Sequence, residues 1–249
     1  MTRKTVLITG GSAGIGAASA RLLAANGYDI ALGYRSDKAG ADAVAADARA
    51  GGAKVLLLQA DVADAGEIER MFTEFDSVFP RLDALVNNAG IVAPAARVEE
   101  MTPDRLSMIF NVNVVGAFLV ARHSVLRMST KHGHQGGAIV NMSSAAARLA
   151  SANTYVDYAA SKAAIDTLTT GLAQEVANDG IRVNAIRPGV IETEIHAKGG
   201  DPDRAQRIAH MVPMQRAGTA DEVAQAVLWL LSDAASYVTG THLDVSGGR

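Results

Sequence analysis

The sequence contains no cysteine among its 249 residues. Disulfide bonds, thiolate metal sites and a cysteine nucleophile are therefore excluded. An excess of positive charge is also missing, because the formal net charge is -3 at pH 7. A basic surface is what usually attracts phosphate backbones and anionic membranes, so we expect neither nucleic-acid nor membrane partners. The composition favours a globular protein with a small-molecule ligand.

Long apolar runs are missing as well. No stretch reaches the roughly 20 apolar residues that cross a bilayer, and the run Val6-Leu7-Ile8 is too short for a signal-peptide core. These two absences predict a cytoplasmic protein without a membrane span. No linker rich in proline, serine or glycine divides the chain, and no long repeat is visible. We therefore predict a single domain over residues 1–249.

Short β-branched runs alternate along the chain with longer Ala-rich segments of helical period. The predicted strands are 5–8, 29–33, 54–59, 83–86, 138–141, 181–185 and 242–245. The predicted helices are 15–26, 38–50, 65–79, 103–130, 155–178 and 220–232. Strands this apolar must be covered on both faces, so the pattern predicts an α/β fold: a doubly wound, Rossmann-like parallel sheet with helices on both faces.

The segment 191–218 interrupts this alternation with a Gly-Gly-Asp-Pro stretch and a short basic helix. Two interpretations remain open at this stage: a cover over a ligand site, or an ordinary connecting loop. His196 lies in this segment, where it would contact a substrate or face solvent. Met211 and Met214 would line an adaptable apolar pocket or pack in the core. His132 and His134 lie in a polar loop without a third ligand nearby, so we predict no metal site.

A glycine-rich turn follows the first predicted strand directly and runs into a helix, with Gly10, Ser12, Gly14, Ile15 and Gly16 in order. Glycines let the backbone approach a pyrophosphate, and the free N–H groups at a helix start hold its charge. Loops also use glycine purely for geometry, but the strand-turn-helix context favours dinucleotide binding.

Arg35 lies at the end of the second predicted strand, where NAD-dependent enzymes commonly carry an acidic residue. A guanidinium at that place can pair with a 2′-phosphate, which favours NADP(H) over NAD(H). The alternative is that Arg35 only solvates the strand end. Asp37 is interpreted as a first-turn helix residue after a Ser36 cap.

Tyr158 and Lys162 are four residues apart near the start of a predicted helix, so their side chains share one face. A phenol with a pKa near 10 needs roughly 4 kcal/mol of stabilisation to ionise near pH 7. One cation about 4 Å away, at an effective dielectric constant of about 20, supplies that order of energy. A half-buried tyrosine beside a lysine that reaches solvent is the structural alternative.

Two further polar residues accompany this pair. Ser144 follows the strand 138–141, whose carboxyl end is predicted to face the ligand crevice, and its hydroxyl could hold a substrate oxygen. Asn113 lies inside a long predicted helix, where an amide is a poor helix former, so it has either a local polar role or a solvent-exposed place. For Asn111 the exposed place is favoured.

Taken together and in order along the whole chain, these motifs resemble the classical short-chain dehydrogenase/reductase family. The resemblance implies a nicotinamide-dependent oxidoreductase acting on carbonyls or secondary alcohols. In that resemblance Tyr158 is the general acid/base, Ser144 positions the substrate oxygen, Lys162 lowers the tyrosine pKa and binds the nicotinamide ribose, and Asn113 holds a relay water. The further cofactor contacts that it implies are Asp61, Val62, Asn88, Ala89, Gly90, Pro188, Gly189, Ile191 and Thr193, with Ile191 acting through its backbone.

The sequence departs from the family pattern at two places. Ser144 and Tyr158 are one residue further apart than is usual, which leaves Ser143 as a second candidate; the loop 151–154 is where the extra residue is expected. Tyr34 stands where NAD-preferring members have aspartate, in agreement with NADP(H). The resemblance also implies a homotetramer. A non-catalytic NADP(H)-binding sensor on the same fold is the alternative function, and the substrate is left open.

Overall fold

A computed structural model describes residues 3–194, 200–201 and 203–249. Over these residues seven strands form one parallel sheet in the order β3-β2-β1-β4-β5-β6-β7. The strands are β1 Lys4–Ile8, β2 Tyr28–Tyr34, β3 Val55–Gln59, β4 Ala84–Asn87, β5 Gly137–Met142, β6 Ile181–Pro188 and β7 His242–Val245. The predicted doubly wound α/β fold and its strands are confirmed, with ends shifted by up to three residues.

The helices alternate with the strands as predicted. They are α1 Gly14–Ala25, α2 Lys38–Ala50, α3 Ala65–Val78, α4 Pro103–Phe110, α5 Ala117–Met128, α6 Ala146–Leu149, α7 Val156–Val176, α8 Arg204–Ile208 and α9 Ala220–Leu231. The cap of α2 differs from the prediction. Asp37, not Ser36, is the N-cap, and its carboxylate accepts a hydrogen bond from the Gly40 backbone N–H at 3.0 Å.

Two apolar layers sandwich the sheet because successive side chains of each strand point to opposite faces. In β1, Val6 and Ile8 belong to the layer packed under α1, α2 and α9, whereas Leu7 belongs to the layer with α3, α5 and α7. All three side chains are fully buried. Each such side chain stabilises the fold by about 1.5–3 kcal/mol relative to an exposed one, so apolar packing fixes the sheet that carries the site.

The strand order reverses between β1 and β4. From β1 the chain builds outward through β2 and β3, and from β4 it builds in the other direction through β7. In doubly wound sheets the ligand crevice opens at this switch point, beyond the carboxyl ends of the strands. The glycine turn follows β1, and Asn88 to Gly90 follow β4, so both motifs are placed at this crevice.

A π-helical turn divides the predicted helix 103–130. Residues Asn111–Gly116 are wound as a π-helix between α4 and α5, a feature that is rare and frequent at functional sites. Asn111 is exposed, as predicted, and Asn113 is only 1% exposed. The wider turn lets the Asn113 amide leave the helix surface and bond to a neighbouring loop, as described below.

The continuous helical stretch Pro103–Met128 is apolar enough to pass for a membrane span by length and composition. Its most apolar 18-residue window has a mean hydropathy of 1.5, and 44% of that window is buried inside the fold. The sequence analysis predicts that no stretch is apolar enough to span a membrane, and this helical stretch does not meet that prediction by length and composition. In the fold this stretch packs against α3, α7 and β4, as the core helix of a globular protein does.

Only part of the interruption 191–218 is described. Ile191 forms an isolated bridge with Gly218, and Val190, Ala205 and Val212 form a small buried cluster under α8. The predicted short helix is confirmed as α8. His196 lies outside the described residues. Met211 and Met214 are exposed, so the core-packing alternative is wrong for both.

Candidate active site

Gly10 and Gly16, in the turn between β1 and α1, pack too closely against neighbouring atoms to carry a side chain. A Cβ on Gly16 would collide with the carbonyl oxygen of Gly10, and one on Gly10 would lie 3.0 Å from the Asn88 side chain. Gly10 and Gly14 also have positive φ angles of 64° and 53°, which favours glycine. No side chain caps α1. Its first N–H groups thus remain available for an anion.

Asn88 and Thr9 brace this turn. The Asn88 amide donates to the carbonyls of Thr9 and Gly10 at 2.9 and 3.0 Å. The Thr9 hydroxyl accepts hydrogen bonds from the backbone N–H groups of Asn88 and Ala89, both at 3.0 Å. These hydrogen bonds connect the segment after β1 to the segment after β4. The bracing role of Thr9 is not predictable from the sequence, because its partners follow a different strand.

A surface depression of about 490 Å³ opens beside the turn and is lined by Ser12, Gly14, Arg21 and Glu194. The predicted cofactor residue Ile15 points the other way and packs against the apolar layer. Ser12 and Gly14 thus face open space that Asp37, Glu194 and Asp221 also line, whereas Ile15 anchors the start of α1.

Arg35 lies at the mouth of the crevice with 59% of its side chain exposed and Nη1 3.8 Å from Asp61 Oδ2. Asp61 accepts a hydrogen bond from the Ala63 backbone N–H at 2.9 Å, which shapes the turn after β3. The Val62 carbonyl lies against Gly116, where a Cβ would collide with it. The guanidinium is loosely held, since an ion pair this long and exposed contributes little, and it is free to turn toward a phosphate.

Asn113 connects the π turn to the segment that follows Gly90. Its Oδ1 accepts the Ile91 N–H at 2.8 Å, and its Nδ2 donates to the Ile91 carbonyl at 2.9 Å and to the Ser161 hydroxyl at 3.1 Å. The Ser161 hydroxyl in turn donates to the Tyr158 carbonyl at 2.7 Å. The polar role is therefore the correct alternative for Asn113. Ser161, which sequence reasoning missed, joins it to α7.

Tyr158 and Lys162 lie on one face of α7, as the four-residue spacing predicts. The Lys162 ammonium is 5.6 Å from the centre of the Tyr158 ring and donates to the Met142 carbonyl at 2.8 Å. Lys162 is buried, so the interpretation as a lysine that reaches solvent is wrong. A Cβ on Gly90 would lie 3.3 Å from Lys162 Nζ and 3.4 Å from Asn113 Oδ1. Four predicted site residues thus lie close together: Gly90, Asn113, Tyr158 and Lys162.

The two candidate serines have different surroundings. Ser143 is buried, and its hydroxyl donates to the Lys162 carbonyl at 3.1 Å. The Ser144 hydroxyl accepts the Ala146 N–H at 3.1 Å and is close enough to the Tyr158 phenol to lower its pKa. Ser144 therefore lies beside the phenol, whereas Ser143 holds α7 against β5. In the loop before α7, where the extra residue is predicted, Ser151 and Asn153 adopt positive φ angles of 51° and 60°.

Burial shifts the pKa values of both members of the pair. Burial raises the pKa of Tyr158, and its hydrogen bond with Ser144 opposes that rise. Burial also lowers the pKa of Lys162 to about 8, against the attraction of Asp166. Desolvation is therefore the larger influence on both groups in the protein alone. In the protein alone Tyr158 is a protonated donor at neutral pH.

The segment after β6 closes the crevice from the opposite side. The Pro188 carbonyl accepts the Ala145 N–H at 2.9 Å, and a Cβ on Gly189 would lie 2.7 Å from the Ser246 Cα. The Thr193 methyl lies 3.4 Å from a Cβ placed on Gly14. Ile191 is buried, and its bridge to Gly218 joins the two ends of the segment 191–218. Of residues 188–193, the structure therefore brings Thr193 against the glycine turn.

The fold and this crevice define a dinucleotide-binding protein of Rossmann-like architecture. A family model described as "Enoyl-(Acyl carrier protein) reductase" matches residues 10–249. "Uncharacterized oxidoreductase YgfF" of Escherichia coli (strain K12) is 53% identical over 243 residues, which cover 98% of each chain.

Solved structures agree with this relationship. A short-chain dehydrogenase from Burkholderia cenocepacia J2315 in complex with NADP has a TM-score of 0.91 and 34% identity, covering 99% of this chain and 98% of its own. A 3-ketoacyl-(acyl-carrier-protein) reductase from Brucella melitensis complexed with NADH also has a TM-score of 0.91, with 32% identity and coverage of 99% and 98%. The chain belongs to the short-chain dehydrogenase/reductase family and is an oxidoreductase.

Proposed function

We propose that this protein is an NADP(H)-dependent oxidoreductase that interconverts a carbonyl group and a secondary alcohol on a small molecule. The observation that carries the proposal is the buried Lys162, whose ammonium lies 5.6 Å from the centre of the Tyr158 ring. Burying an ammonium costs several kcal/mol, so a fold that keeps one beside a phenol in a ligand crevice points to function. Residues 1–249 would act as one domain, with 191–218 covering the substrate.

The residues at the crevice fit a nicotinamide dinucleotide. Gly10, Ser12, Gly14 and the uncapped start of α1 would hold the pyrophosphate, because side chains larger than glycine do not fit the turn. Asp61 and Val62 would contact the adenine, and Asn88 to Gly90 would support the middle of the cofactor. Pro188, Gly189, the Ile191 backbone and Thr193 would line the nicotinamide side. When bound, the nicotinamide supplies or accepts the hydride.

Tyr158 would act as the general acid in reduction and as the general base in oxidation. In reduction its phenol gives a proton to the carbonyl oxygen, which Ser144 holds by its hydroxyl. In oxidation the phenolate removes the proton of the alcohol, and Lys162 supplies the positive charge that offsets the phenolate. Asn113 would support a water that returns the proton from solvent.

Arg35 is the basis of the expected preference for NADP(H). Replacing Arg35 with alanine is expected to raise the Kd of NADPH roughly 10–100-fold, because one charge-assisted pair to the 2′-phosphate contributes about 1.5–3 kcal/mol. The Kd of NADH should change less than about 3-fold, since NADH has no such phosphate. Fluorescence titration of both cofactors measures this. Arg49→Ala is the matched control, because the exposed Arg49 donates to the Val55 carbonyl at 3.2 Å, at the start of β3 and away from the crevice beyond the carboxyl ends of the strands. It should leave both Kd values unchanged, and equal weakening of both cofactors by Arg35→Ala would contradict the assignment.

A screen of cofactor consumption tests the proposed reaction. The wild-type enzyme is assayed with NADPH and, in parallel, NADH against sugar, β-keto ester, quinone and steroid carbonyls, and each active substrate is repeated with Tyr158→Phe. Turnover that prefers NADPH and disappears in the variant supports the proposal. Tight NADPH binding without turnover on any carbonyl would instead favour the sensor function.

The same proposal includes a homotetramer in the cytoplasm. Exposed apolar side chains support self-association, because large exposed apolar residues are uncommon on monomers when they cluster. Val115 and Phe118, three residues apart on one helical face at the π turn and the start of α5, are each 47% exposed. Trp229 on α9, on the other side of the sheet, is 41% exposed. Light scattering coupled to size-exclusion chromatography measures the assembled mass.

A further inference from the structure

A buried ion pair lies immediately before Tyr158 in the chain. Arg105 on α4 donates to both oxygens of Asp157, from Nε at 2.7 Å and from Nη2 at 3.3 Å. The Asp157 side chain is 1% exposed and that of Arg105 is 14% exposed. Two parallel hydrogen bonds between a planar guanidinium and a carboxylate fix distance and orientation together, so this pair holds α4 and the start of α7 in one relative position.

Asp157 also holds the backbone of Tyr158. Its Oδ1 accepts the Tyr158 N–H at 2.9 Å. The N-cap residue of α7, Tyr155, offers no side-chain hydrogen bond, although the first N–H groups of a helix need such partners. Asp157 therefore takes over the capping function from within the first turn, where a negative charge is also favourable.

Arg105 has a third contact, on the loop 91–97 that follows Gly90. Its Nη1 donates to the Pro94 carbonyl at 2.6 Å. The same loop is tied to the approach to α7 a second time, because the Ala96 N–H donates to the Thr154 carbonyl at 2.9 Å. One guanidinium thus connects a loop at the edge of the crevice with the residue that precedes the general acid.

Stability alone does not explain this pair. Apolar residues of similar volume commonly stabilise a core as well as a buried ion pair does. What they cannot do is fix the relative orientation of two segments, as the two parallel hydrogen bonds of this pair do. We propose that Arg105 and Asp157 are positioning residues that couple the loop 91–97 to the orientation of Tyr158. The inference rests on the proposed function, in which Tyr158 transfers the proton.

The test compares Arg105→Met, Asp157→Ala and Asp157→Asn with the control Arg127→Met. Arg127 forms a similar fork with Asp76, at 2.8 and 2.6 Å, but it joins α5 to α3 on the outer surface. We expect Arg105→Met and Asp157→Ala to lower kcat roughly 10–100-fold, because small displacements of a reacting group have effects of that size. The Kd of NADPH should stay within about 2-fold, since the glycine turn is not part of this connection. The control should keep its kcat.

Asp157→Asn provides the graded variant, because its amide oxygen still accepts the Tyr158 N–H while the charge is lost. Its kcat should lie between those of the wild type and Asp157→Ala. If Arg105→Met and Asp157→Ala lose only thermal stability, as the control does, and keep kcat, the positioning role is overturned and the pair is merely structural.

Hydrogen exchange measured by mass spectrometry gives a readout that does not depend on turnover. Arg105→Met should speed exchange in peptides covering both 91–97 and 155–162, whereas Arg127→Met should not. Unchanged exchange in either peptide would overturn the coupling. A wild-type protein that is inactive on every carbonyl would instead overturn the proposed function, and with it the positioning role, while exchange would still decide whether the two segments are coupled.

Discussion

Replacing Tyr158 with phenylalanine is expected to lower kcat by about 10²–10⁴-fold, because a positioned general acid contributes a factor of that size and no neighbouring group can replace it. Ser144 has the wrong acidity for proton transfer at neutral pH, and Lys162 is committed to the Met142 carbonyl at 2.8 Å. The Kd of NADPH should change less than about 3-fold, since the ring is retained. Steady-state kinetics and fluorescence titration measure the two quantities.

Tyr155→Phe is the matched control for this variant. Tyr155 is buried three residues earlier, and its ring lies under the Arg204 guanidinium at 4.7 Å, so it shares the neighbourhood but not the proposed chemistry. Its kcat should stay within about 3-fold of the wild type, because the ring that packs against Arg204 remains. Turnover retained by Tyr158→Phe, or lost equally in both variants, would contradict the assignment of Tyr158 as the acid.

The fold was predictable from local patterns because each strand and helix carries its own signal. The buried strands are short β-branched runs, and the predicted helix stops at Gly27 and Gly180 have positive φ angles of 88° and 77°, as helix ends require. The π turn at 111–116 was not predictable, because its cause lies elsewhere in the chain. The Asn113 amide bonds to Ile91, 22 residues away, and only the folded arrangement brings the two together.

In the site, too, some features were predictable from local patterns and others were not. The Tyr158–Lys162 pair follows from helical spacing alone, and its placement was foreseen. The choice between Ser143 and Ser144 was not, because it depends on which hydroxyl is occupied by the Lys162 carbonyl. The rise that burial gives the Tyr158 pKa in the protein without cofactor was not foreseen either, since desolvation depends on burial that a spacing argument does not contain. Arg105 and Asp157 are 52 residues apart, and no local pattern joins them.

Lys162→Met is expected to lower kcat by at least about 100-fold. The ammonium lies 5.6 Å from the Tyr158 ring, and losing a charge interaction of even about 2.7 kcal/mol in the transition state costs that factor. The Kd of NADPH should rise as well if Lys162 contacts the nicotinamide ribose. Lys54→Met is the matched control, because Lys54 also donates to a backbone carbonyl, that of Val78 at 2.9 Å, and lies 5.1 Å from the Phe79 ring, but far from the crevice. Its kcat should not change.

The same variant should not lose stability at pH 7, although it loses activity. Burial lowers the pKa of Lys162 to about 8, which means that the folded protein holds this charge at a cost that methionine does not have. As the pH rises above about 8, the folded lysine gives up its proton while the unfolded one, with a pKa near 10.4, still binds it. The wild type therefore gains stability relative to Lys162→Met between about pH 8 and pH 10.

Thermal unfolding of both proteins from pH 7 to pH 10 measures this difference. The melting temperature of Lys162→Met should equal or exceed that of the wild type at pH 7, and the difference should shift in favour of the wild type as the pH rises. A variant that is clearly less stable at pH 7, with a deficit that shrinks at higher pH, would mean that the lysine stabilises the fold. The buried charge would then be structural, and the argument that it is retained at a cost for proton transfer from Tyr158 would fail.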